Sequence, residues 1–332
     1  MNNYERYKNR YKIEKFIELE YPYLNLYYKL DKQVIKKLKD NYKPTILNDI
    51  PEYLNEYASD LIKLDDKYII IHEKDDEINK ELNSITDYYT ETCRKLCVFY
   101  NRPSPYNHWI RHKKHIIKKV NNTGKLSIKR IREELYNQTG WCSNFKISVA
   151  LAVLTIFNPK KWLDISAGWG DRLISAIIFD LDCYCGVDPN DCLKDLYKKI
   201  IKDLAPNKNF RVIHDGFETA DLPDIKFDLV FSSPPFFDVE IYSKSDADSL
   251  VRYDSEESWY NNFLIKSIDK SYDYLEKDGH LVLYISEGIK TNYITRMIEH
   301  INKKMKYNGV IYYYMEQIKK KPPRKIYVWT KN

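Results

Sequence analysis

The chain has 332 residues, a formal net charge of +6 and no apolar run of about 18 residues, the length that a transmembrane helix needs. Its first residues lack the apolar core of a signal peptide. At roughly 100–200 residues per domain, this length predicts two domains, one of them large enough to bury a full sheet. We therefore expect a soluble, intracellular protein with two unequal parts.

The cysteines show no Cys-x-x-Cys spacing, and three of them lie in or just after a predicted core strand. Buried thiols of this kind are typical of reduced intracellular proteins. The pattern therefore favours free buried thiols over disulfides or a zinc site, and we expect no bound metal. The six residues are Cys93, Cys97, Cys142, Cys183, Cys185 and Cys192.

Residues 92–132 contain no Asp or Glu but many basic side chains. Such a stretch predicts a positive surface for a phosphate backbone, and nearby aromatic rings are candidates for stacking on unpaired bases. The alternative is a solvated helix face. The lysines and arginines are Arg94, Lys95, Arg102, Arg111, Lys113, Lys114, Lys118, Lys119, Lys125, Lys129, Arg130 and Arg132, and the rings are Tyr100, Tyr106, Trp109 and Trp141. We predict nucleic-acid contacts for Arg111, Lys113, Lys114, Lys118, Lys119, Lys129 and Arg130.

Residues 1–139 are predicted to form a mainly helical, basic region that recognises nucleic acid. Apolar residues such as Ile13, Phe16 and Ile17 recur there at helical spacing, and residues 1–90 contain no glycine. Residues 1–90 are therefore expected to form a helical region. No linker composition marks the boundary with the second part, which we place at residue 140.

From residue 140 onward, short apolar strands alternate with helical segments, which predicts a mostly parallel sheet covered on both faces. The last two strands are joined by a short basic turn with Pro322 and Pro323, which predicts an antiparallel hairpin. The fold class is therefore α/β, with a Rossmann-like sheet of seven strands. We place the strands at 161–165, 184–187, 210–213, 227–231, 280–285, 310–315 and 325–330, and the helices at 171–179, 191–204, 257–275 and 291–304.

The first predicted strand ends at Asp164 and leads through Gly168 and Gly170 into a helix. In open α/β sheets the ligand crevice lies at this end of the strands. Leu173 replaces the third glycine of a dinucleotide fingerprint, and Asp171 adds negative charge. A pyrophosphate is therefore less expected than a ligand with an ammonium and a sulfonium group, which acidic side chains would attract.

Two further acids follow the next two strands. Asp188 can accept hydrogen bonds from both hydroxyls of a ribose, and Asp215 could meet the amine of an adenine. Taken singly, each acid is equally consistent with a helix N-cap or a turn residue. Acids at the ends of three successive strands together favour a nucleoside-bearing ligand.

These residues resemble the class I S-adenosylmethionine-dependent methyltransferases, specifically the amino-methyltransferases of nucleic-acid bases. The first motif of that family resembles residues 164–170, and its catalytic motif, a polar residue before Pro-Pro and an aromatic residue, resembles residues 233–236. Residues 142–149 are similar to a segment that closes over the cofactor. The resemblance covers residues 140–332, and the pattern after the catalytic motif is similar to enzymes of phages and large DNA viruses.

The resemblance implies S-adenosylmethionine as the cofactor and assigns roles to individual residues. The Ser233 side chain and the Pro234 carbonyl would accept hydrogen bonds from the target amine, the prolines would fix the loop, and Phe236 would stack on the base. The catalytic residues are Ser233, Pro234, Pro235 and Phe236. The cofactor-binding residues are Asn144, Phe145, Asp164, Ser166, Ala167, Gly168, Gly170, Asp188, Asp215 and Ser232.

The expected activity is methyl transfer to cytosine N4 or adenine N6, with DNA preferred to RNA and the target base flipped out or single-stranded. Ser233 is more typical of cytosine enzymes, whereas the motif order is commoner with adenine, so the base stays open. The same residues are also compatible with an RNA base methyltransferase, a protein glutamine N-methyltransferase or a catalytically silent binding subunit. A viral origin would place the protein in the host cytoplasm or a viral factory.

Overall fold

The computed structural model describes residues 13–24, 30, 32–73, 77–99, 102–140, 142–237, 240–242, 248–287, 291–315 and 322–332. Within these residues, ten strands form one sheet. Its main helices are α1 (Lys32–Asn41), α2 (Glu77–Arg94), α3 (Pro105–Asn122), α4 (Ile128–Gln138), α5 (Ile147–Phe157), α6 (Asp171–Phe179), α7 (Lys194–Leu204), α8 (Ser249–Arg252), α9 (Glu256–Trp259), α10 (Lys266–Tyr274) and α11 (Ile294–Asn302). A 3-10 turn spans Glu52–Tyr57, and a π-helical turn, Tyr260–Ile265, joins α9 to α10.

The strands are β1 (Thr45–Leu47), β2 (Lys63–Leu64), β3 (Lys67–Glu73), β4 (Val98–Phe99), β5 (Lys161–Asp164), β6 (Cys183–Val187), β7 (Asn209–Ile213), β8 (Phe227–Ser232), β9 (Glu240–Ile241), β10 (Leu275–Tyr284), β11 (Lys306–Met315) and β12 (Arg324–Thr330). The sheet order is β1-β3-β11-β12-β10-β8-β5-β6-β7, with β2 paired to β3, while β4 and β9 form a separate pair.

The strands from β5 onward confirm the predicted Rossmann-like sheet. Strands β5, β6, β7, β8 and β10 run parallel, and β12 runs antiparallel to β10 and β11. These are the seven expected strands, including the antiparallel C-terminal hairpin. The order reverses between β5 and β8, because β6 and β7 continue to one side of β5 and β10 lies beyond β8.

The N-terminal region, which was predicted to be mainly helical, contains α1 to α4 but also contributes strands that the sequence did not predict. Strand β3 pairs in parallel with β11 and extends the sheet beyond its seven predicted strands. Its centre is a run of three buried isoleucines, Ile69, Ile70 and Ile71. Consecutive β-branched residues favour a strand, and the pairing covers an otherwise open sheet edge. The boundary near residue 140 stays a prediction.

Apolar side chains are buried on both faces of the sheet. One cluster packs α2, α5, α6 and α7 against it, and the other packs α9, α10 and α11 against the opposite face. Helix α5 is the most apolar, and its residues 147–154 are all buried by protein. None of the helices in the described part of the chain has both the length and the apolarity that a membrane span requires.

Helices α3 and α4 pack together around a smaller apolar cluster. Trp109 lies within it at 0% exposure, and its indole nitrogen donates to the backbone carbonyl of Leu19 (3.3 Å). This burial corrects the expectation that Trp109 could stack on bases. Tyr106 is half-buried, and Tyr100 and Trp141 lie outside the described residues.

Two disulfides correct the expectation that all cysteines are free thiols. Cys93–Cys192 joins α2 to the loop after β6, and Cys97–Cys142 joins the residue before β4 to the segment before α5. The Cα atoms are 5.8 and 6.2 Å apart, within the range that a disulfide spans. Because the partners are 99 and 45 positions apart in sequence, their spacing did not reveal them. The free and buried cysteines, Cys183 and Cys185, are as predicted.

Candidate active site

The carboxyl ends of β5 and β8 lie side by side where the strand order reverses. Ser232 Oγ at the end of β8 donates to Asp164 Oδ1 at the end of β5 (2.7 Å), and both residues are 0% exposed. A crevice at such a reversal is the usual ligand site of an open α/β sheet. Residues 165–170, the glycine loop, and residues 233–236, the proline loop, therefore start from neighbouring strand tips.

The Asp164 carboxylate is saturated by protein donors. Its Oδ1 accepts from Ser166 N (3.3 Å) and from Ser232, and its Oδ2 accepts from Arg172 Nε and the Tyr184 hydroxyl (2.8 Å each). A carboxylate offers about four acceptor positions. None is left for the cofactor, although Asp164 was predicted to contact it. Instead, Asp164 ties β5, β6, β8 and α6 together beneath the crevice.

The glycine loop has a backbone conformation that requires its two glycines. Gly168 and Gly170 have φ angles of +60° and +95°, which side-chain-bearing residues rarely adopt. A Cβ on Gly170 would also lie 3.2 Å from Ile200 Cδ1 on α7. The Tyr197 hydroxyl donates to the Gly168 carbonyl, and the Ala167 amide donates to the last residue of β6 (2.9 Å). The loop is therefore held in one shape.

Asp188, just after β6, keeps acceptor capacity that Asp164 lacks. Its Oδ2 accepts from Gly168 N (2.8 Å) and its Oδ1 from Asn190 N (3.0 Å), which leaves one acceptor position on each oxygen. Burial raises the pKa of Asp188 to about 6, against the effect of the two backbone N–H groups. A buried carboxylate with a raised pKa at a crevice is a candidate functional group.

Asp215, after β7, is half-buried and caps a turn. Its Oδ1 accepts from Gly216 N (2.7 Å) and from Thr219 Oγ1 (2.9 Å), so Oδ2 is the oxygen that a ligand amine would meet. Among the described residues, no group of three or more His, Cys, Asp or Glu side chains is arranged to hold a metal ion. The acids at the strand ends are thus held by protein N–H and O–H donors.

The segment before α5 packs on the strand ends of the sheet through Phe145. The Phe145 ring packs edge-on against Phe231 on β8 (5.8 Å between centroids) and Tyr284 on β10 (5.4 Å). The Arg172 guanidinium lies 5.1 Å from its centroid. Asn144 precedes it and is 9% exposed. Phe145 therefore packs against β8, β10 and α6.

The proline loop follows Ser232 without a break. Pro234 is buried, whereas Ser233, Pro235 and Phe236 are half-buried. The Phe236 ring lies 6.1 Å from Tyr284, the same residue that contacts the segment before α5. The predicted catalytic residues thus lie together at the strand tip, beside Tyr284, on which Phe145 also packs.

The chain beyond the proline loop is attached to the N-terminal region. Strand β9 pairs antiparallel with β4, which precedes α3. The next residue, Tyr242, packs edge-on against Trp169 of the glycine loop (5.8 Å). One strand pair therefore connects the proline loop, the glycine loop and the helical region that carries the basic stretch.

Three basic residues predicted to bind nucleic acid share one exposed face of α3. Arg111, Lys114 and Lys118 are exposed and lie three and four positions apart, which places them on the same side of a helix. We call these three residues the α3 face. Lys129 is exposed on α4, and Lys113 is half-buried.

Other basic residues of the stretch bind protein groups, so the positive surface is smaller than predicted. Arg94 and Lys95 are buried, and several other side chains of the stretch form salt bridges or donate to backbone carbonyls. Arg94 and Arg132 bind Asp87, Lys95 binds Glu20 (3.4 Å), Lys119 binds Glu134 (2.6 Å), and Arg130 donates to the carbonyl of Lys125 (3.0 Å). Acidic partners from outside residues 92–132 neutralise several of these charges.

The sequence interpretation did not single out Arg172, Tyr184 and Tyr197, although all three hold the glycine loop or Asp164. Burial raises the pKa of both tyrosines well above its usual value, so they act as neutral donors. A hydroxyl or guanidinium side chain within an apolar strand or helix could have identified these residues in the sequence, because a buried polar atom needs a hydrogen-bond partner.

No protein-family model matches the chain, and no curated protein matches it. Its fold is similar to a methyltransferase from Pyrococcus furiosus (16% identity, 57% of this chain and 84% of that chain, TM-score 0.40). It is also similar to TrmN from Thermus thermophilus (12% identity, 57% of this chain and 49% of that chain, TM-score 0.41), so it spans about half the length of that protein. A third similar structure is an rRNA methylase from Streptococcus thermophilus (17% identity, 52% of this chain and 86% of that chain, TM-score 0.34). Because the identities are below 25% and the TM-scores below 0.5, this similarity concerns the fold alone.

Proposed function

We propose that the protein is an S-adenosylmethionine-dependent methyltransferase that methylates an exocyclic amino nitrogen of a nucleic-acid base. One observation carries the proposal, the 2.7 Å hydrogen bond between Ser232 and Asp164 that joins the tips of β5 and β8. It holds the glycine loop and the proline loop at one crevice. A donor sulfur and an acceptor nitrogen can therefore meet in line there.

The residues of the crevice fit this cofactor. Asp188 has one acceptor position on each oxygen for two ribose hydroxyls, and Asp215 Oδ2 is available for the adenine amine. Asn144 Oδ1 is buried without a hydrogen-bond partner among the described residues, and an ammonium group would satisfy it. When bound, the cofactor supplies an electrophilic methyl group on a sulfonium centre.

The proline loop suits an aromatic amine as acceptor. The lone pair of such an amine is delocalised into the ring, so the nitrogen must be turned toward the methyl group. Ser233 Oγ and the Pro234 carbonyl can each accept an N–H, which directs the lone pair, and the two prolines restrict the loop beforehand. Phe236 offers a ring face for stacking.

A nucleic-acid substrate is supported by the α3 face, which joins the proline loop through β4 and β9. Phosphates bound at this face would bring a strand toward the crevice. The amine of a paired base is inaccessible, so the target is flipped out or single-stranded. We propose DNA over RNA because the loop motif resembles that of DNA amino-methyltransferases, with cytosine N4 or adenine N6 as the acceptor.

The test is transfer of labelled methyl groups from S-adenosylmethionine to separate pools of DNA, RNA and protein, followed by mass spectrometry of the labelled nucleosides. We expect N4-methylcytosine or N6-methyladenine in DNA. Label confined to protein would replace the nucleic-acid proposal with glutamine methylation. A protein that binds nucleic acid but no S-adenosylmethionine would be a silent subunit, and the enzymatic proposal would be wrong.

Ser233→Ala tests the role of the proline loop. Loss of one preorganised hydrogen bond should lower turnover about 100-fold, while the Kd for S-adenosylhomocysteine changes little. Ser255→Ala is the matched control, because Ser255 caps α9 by accepting from Ser258 N (3.2 Å) and lies on neither loop. A Ser233→Ala enzyme with normal turnover would contradict the assigned role.

A further inference from the structure

Helix α2 carries a carboxylate, Asp87, whose side chain is 10% exposed and contacts the segment before α5. Asp87 binds the guanidinium groups of Arg94 and Arg132, and Arg132 also binds Glu91 (2.6 Å). Burial alone would raise the pKa of Asp87, but the guanidiniums of Arg94 and Arg132 hold it below its usual value. Asp87 is therefore an ionised group that can only accept hydrogen bonds.

This acceptor fixes the orientation of Asn144. Asn144 Nδ2 donates to Asp87 Oδ1 (3.1 Å). A carboxylate cannot donate, so the amide nitrogen must face Asp87 and the amide oxygen must point away. That oxygen is buried and has no hydrogen-bond partner among the described residues. Buried acceptors are nearly always satisfied, so this oxygen points to a donor that the protein itself does not supply.

The neighbour of Asp87 on α2 contacts the first residue after the glycine loop. Thr86, the neighbour of Asp87 on α2, donates to Asp171 Oδ1 (2.6 Å), and Asp171 directly follows Gly170. On its other side, Asn144 precedes Phe145, which packs on Arg172 and β8. The α2 contacts thus join the segment before α5 to the start of α6.

We propose that Asp87 is a positioning residue that turns the Asn144 side-chain oxygen toward the ammonium group at the methionyl end of S-adenosylmethionine. This inference rests on the proposed function and extends it to a residue of the N-terminal region. The hydrogen bonds of Asp164 support the proposal, because protein donors fill all four acceptor positions of that carboxylate. The ammonium group therefore needs another acceptor, and Asn144 Oδ1 supplies one.

Two ligands separate this role from a general structural one. S-adenosylhomocysteine has the ammonium group, whereas 5′-methylthioadenosine has the same nucleoside and thioether without it. For Asp87→Asn we expect the Kd for S-adenosylhomocysteine, measured by calorimetry, to rise about tenfold, the size of one hydrogen bond to a charged group. The Kd for 5′-methylthioadenosine should change less than about twofold.

A variant of Asn144 and a double variant test whether Asp87 acts through Asn144. Asn144→Ala should show the same selective loss, and the double variant should be no weaker than Asn144→Ala alone, because both changes remove one interaction. Thr90→Val is the matched control, since Thr90 is buried on α2 and its hydroxyl donates to the Thr86 carbonyl (3.0 Å), within the same helix. It should leave the ratio of the two Kd values unchanged.

Equal weakening of both ligands by Asp87→Asn would overturn the proposal and leave Asp87 a purely structural role. If Asp87→Asn does not fold, Asp87→Glu keeps the charge facing Arg94 and Arg132 but lengthens the side chain, and it must give the same selective loss. A wild-type protein that binds neither ligand would instead contradict the proposed function.

Discussion

Asp164 and Asp188 are both buried carboxylates at strand ends, but their surroundings differ. Asp164 has four donors, one of them the charged Arg172, and so has no capacity for a ligand. Asp188 has two backbone N–H donors and no bonded cation among the described residues. Asp164 is thus fully engaged by protein donors, whereas Asp188 keeps the free acceptor positions that the proposed ribose contact requires.

The raised pKa of Asp188 predicts pH-dependent cofactor binding. With a pKa of about 6, the carboxyl is mostly neutral at pH 5 and mostly ionised at pH 7. Only the ionised form accepts from two hydroxyls, so the affinity for S-adenosylhomocysteine should rise from pH 5 to pH 7 and level off above. Calorimetry over this range measures it. Asp188→Asn should bind more weakly without that rise, and a flat wild-type profile would argue against the assignment.

Asp171 predicts a pH effect on stability. Burial raises its pKa to about 7 in the folded protein, against the hydrogen bond from Thr86. The unfolded carboxyl ionises near pH 4, so stability falls as pH rises from about 4 to 7 and is level above. Asp171→Asn keeps an acceptor for Thr86 and should raise the free energy of unfolding in urea at pH 8 by roughly 1–4 kcal/mol. At pH 4 the substitution should not raise the free energy of unfolding. A lower free energy of unfolding at pH 8 would refute the explanation.

At the scale of elements, α2 connects parts of the site that are far apart in sequence. Thr86 contacts the start of α6, Asp87 contacts the segment before α5, and Cys93 is bonded to the loop after β6. The helix belongs to the part of the chain for which no family resemblance is evident. Its packing nevertheless makes it a support of the crevice.

The α3 face predicts how binding depends on salt. Each phosphate contact on duplex DNA contributes about 0.9 to the slope of log K against log salt concentration. Replacing Arg111, Lys114 and Lys118 with Gln should therefore flatten the slope by about 2–3, as measured by fluorescence anisotropy. The control replaces three exposed lysines of α7, which are Lys194, Lys198 and Lys202. Equal flattening by both triple variants would mean that binding is not localised on α3.

At the scale of the molecule, the N-terminal region and the sheet domain are joined as one structure. Strand β3 pairs with β11, β4 pairs with β9, and the two disulfides link α2 and the residue before β4 to the loops around the crevice. Movement of the N-terminal region would therefore disturb the crevice directly.

The disulfides predict a count of reactive thiols. Alkylation of the denatured, unreduced protein should modify two cysteines, Cys183 and Cys185, and reduction should make all six reactive, as read by mass spectrometry. Loss of each crosslink should lower the free energy of unfolding by about 2–4 kcal/mol. A Cys93→Ser, Cys97→Ser double variant should match the reduced wild type in urea unfolding. Six reactive thiols before reduction would show that the disulfides are absent.

The sequence predicted the elements of the sheet domain well because their signals are local. Strand β8 and the helix α6 follow from apolar runs bounded by turn residues, and the glycine and proline loops follow from their own residues. Burial was harder to predict. Trp109 and Arg94 looked like surface groups within a basic stretch, but partners from distant segments bury them.

Periodicity, glycine positions and the two loop motifs by themselves predicted the fold class and the two loops that follow β5 and β8. Only the tertiary structure decided that β5 meets β8, that Asp164 is saturated, that Asp87 orients Asn144, and which cysteines pair. The physical reason is that most of these contacts join segments separated by dozens of residues. Their meeting depends on strand order and helix packing, which local sequence patterns do not specify.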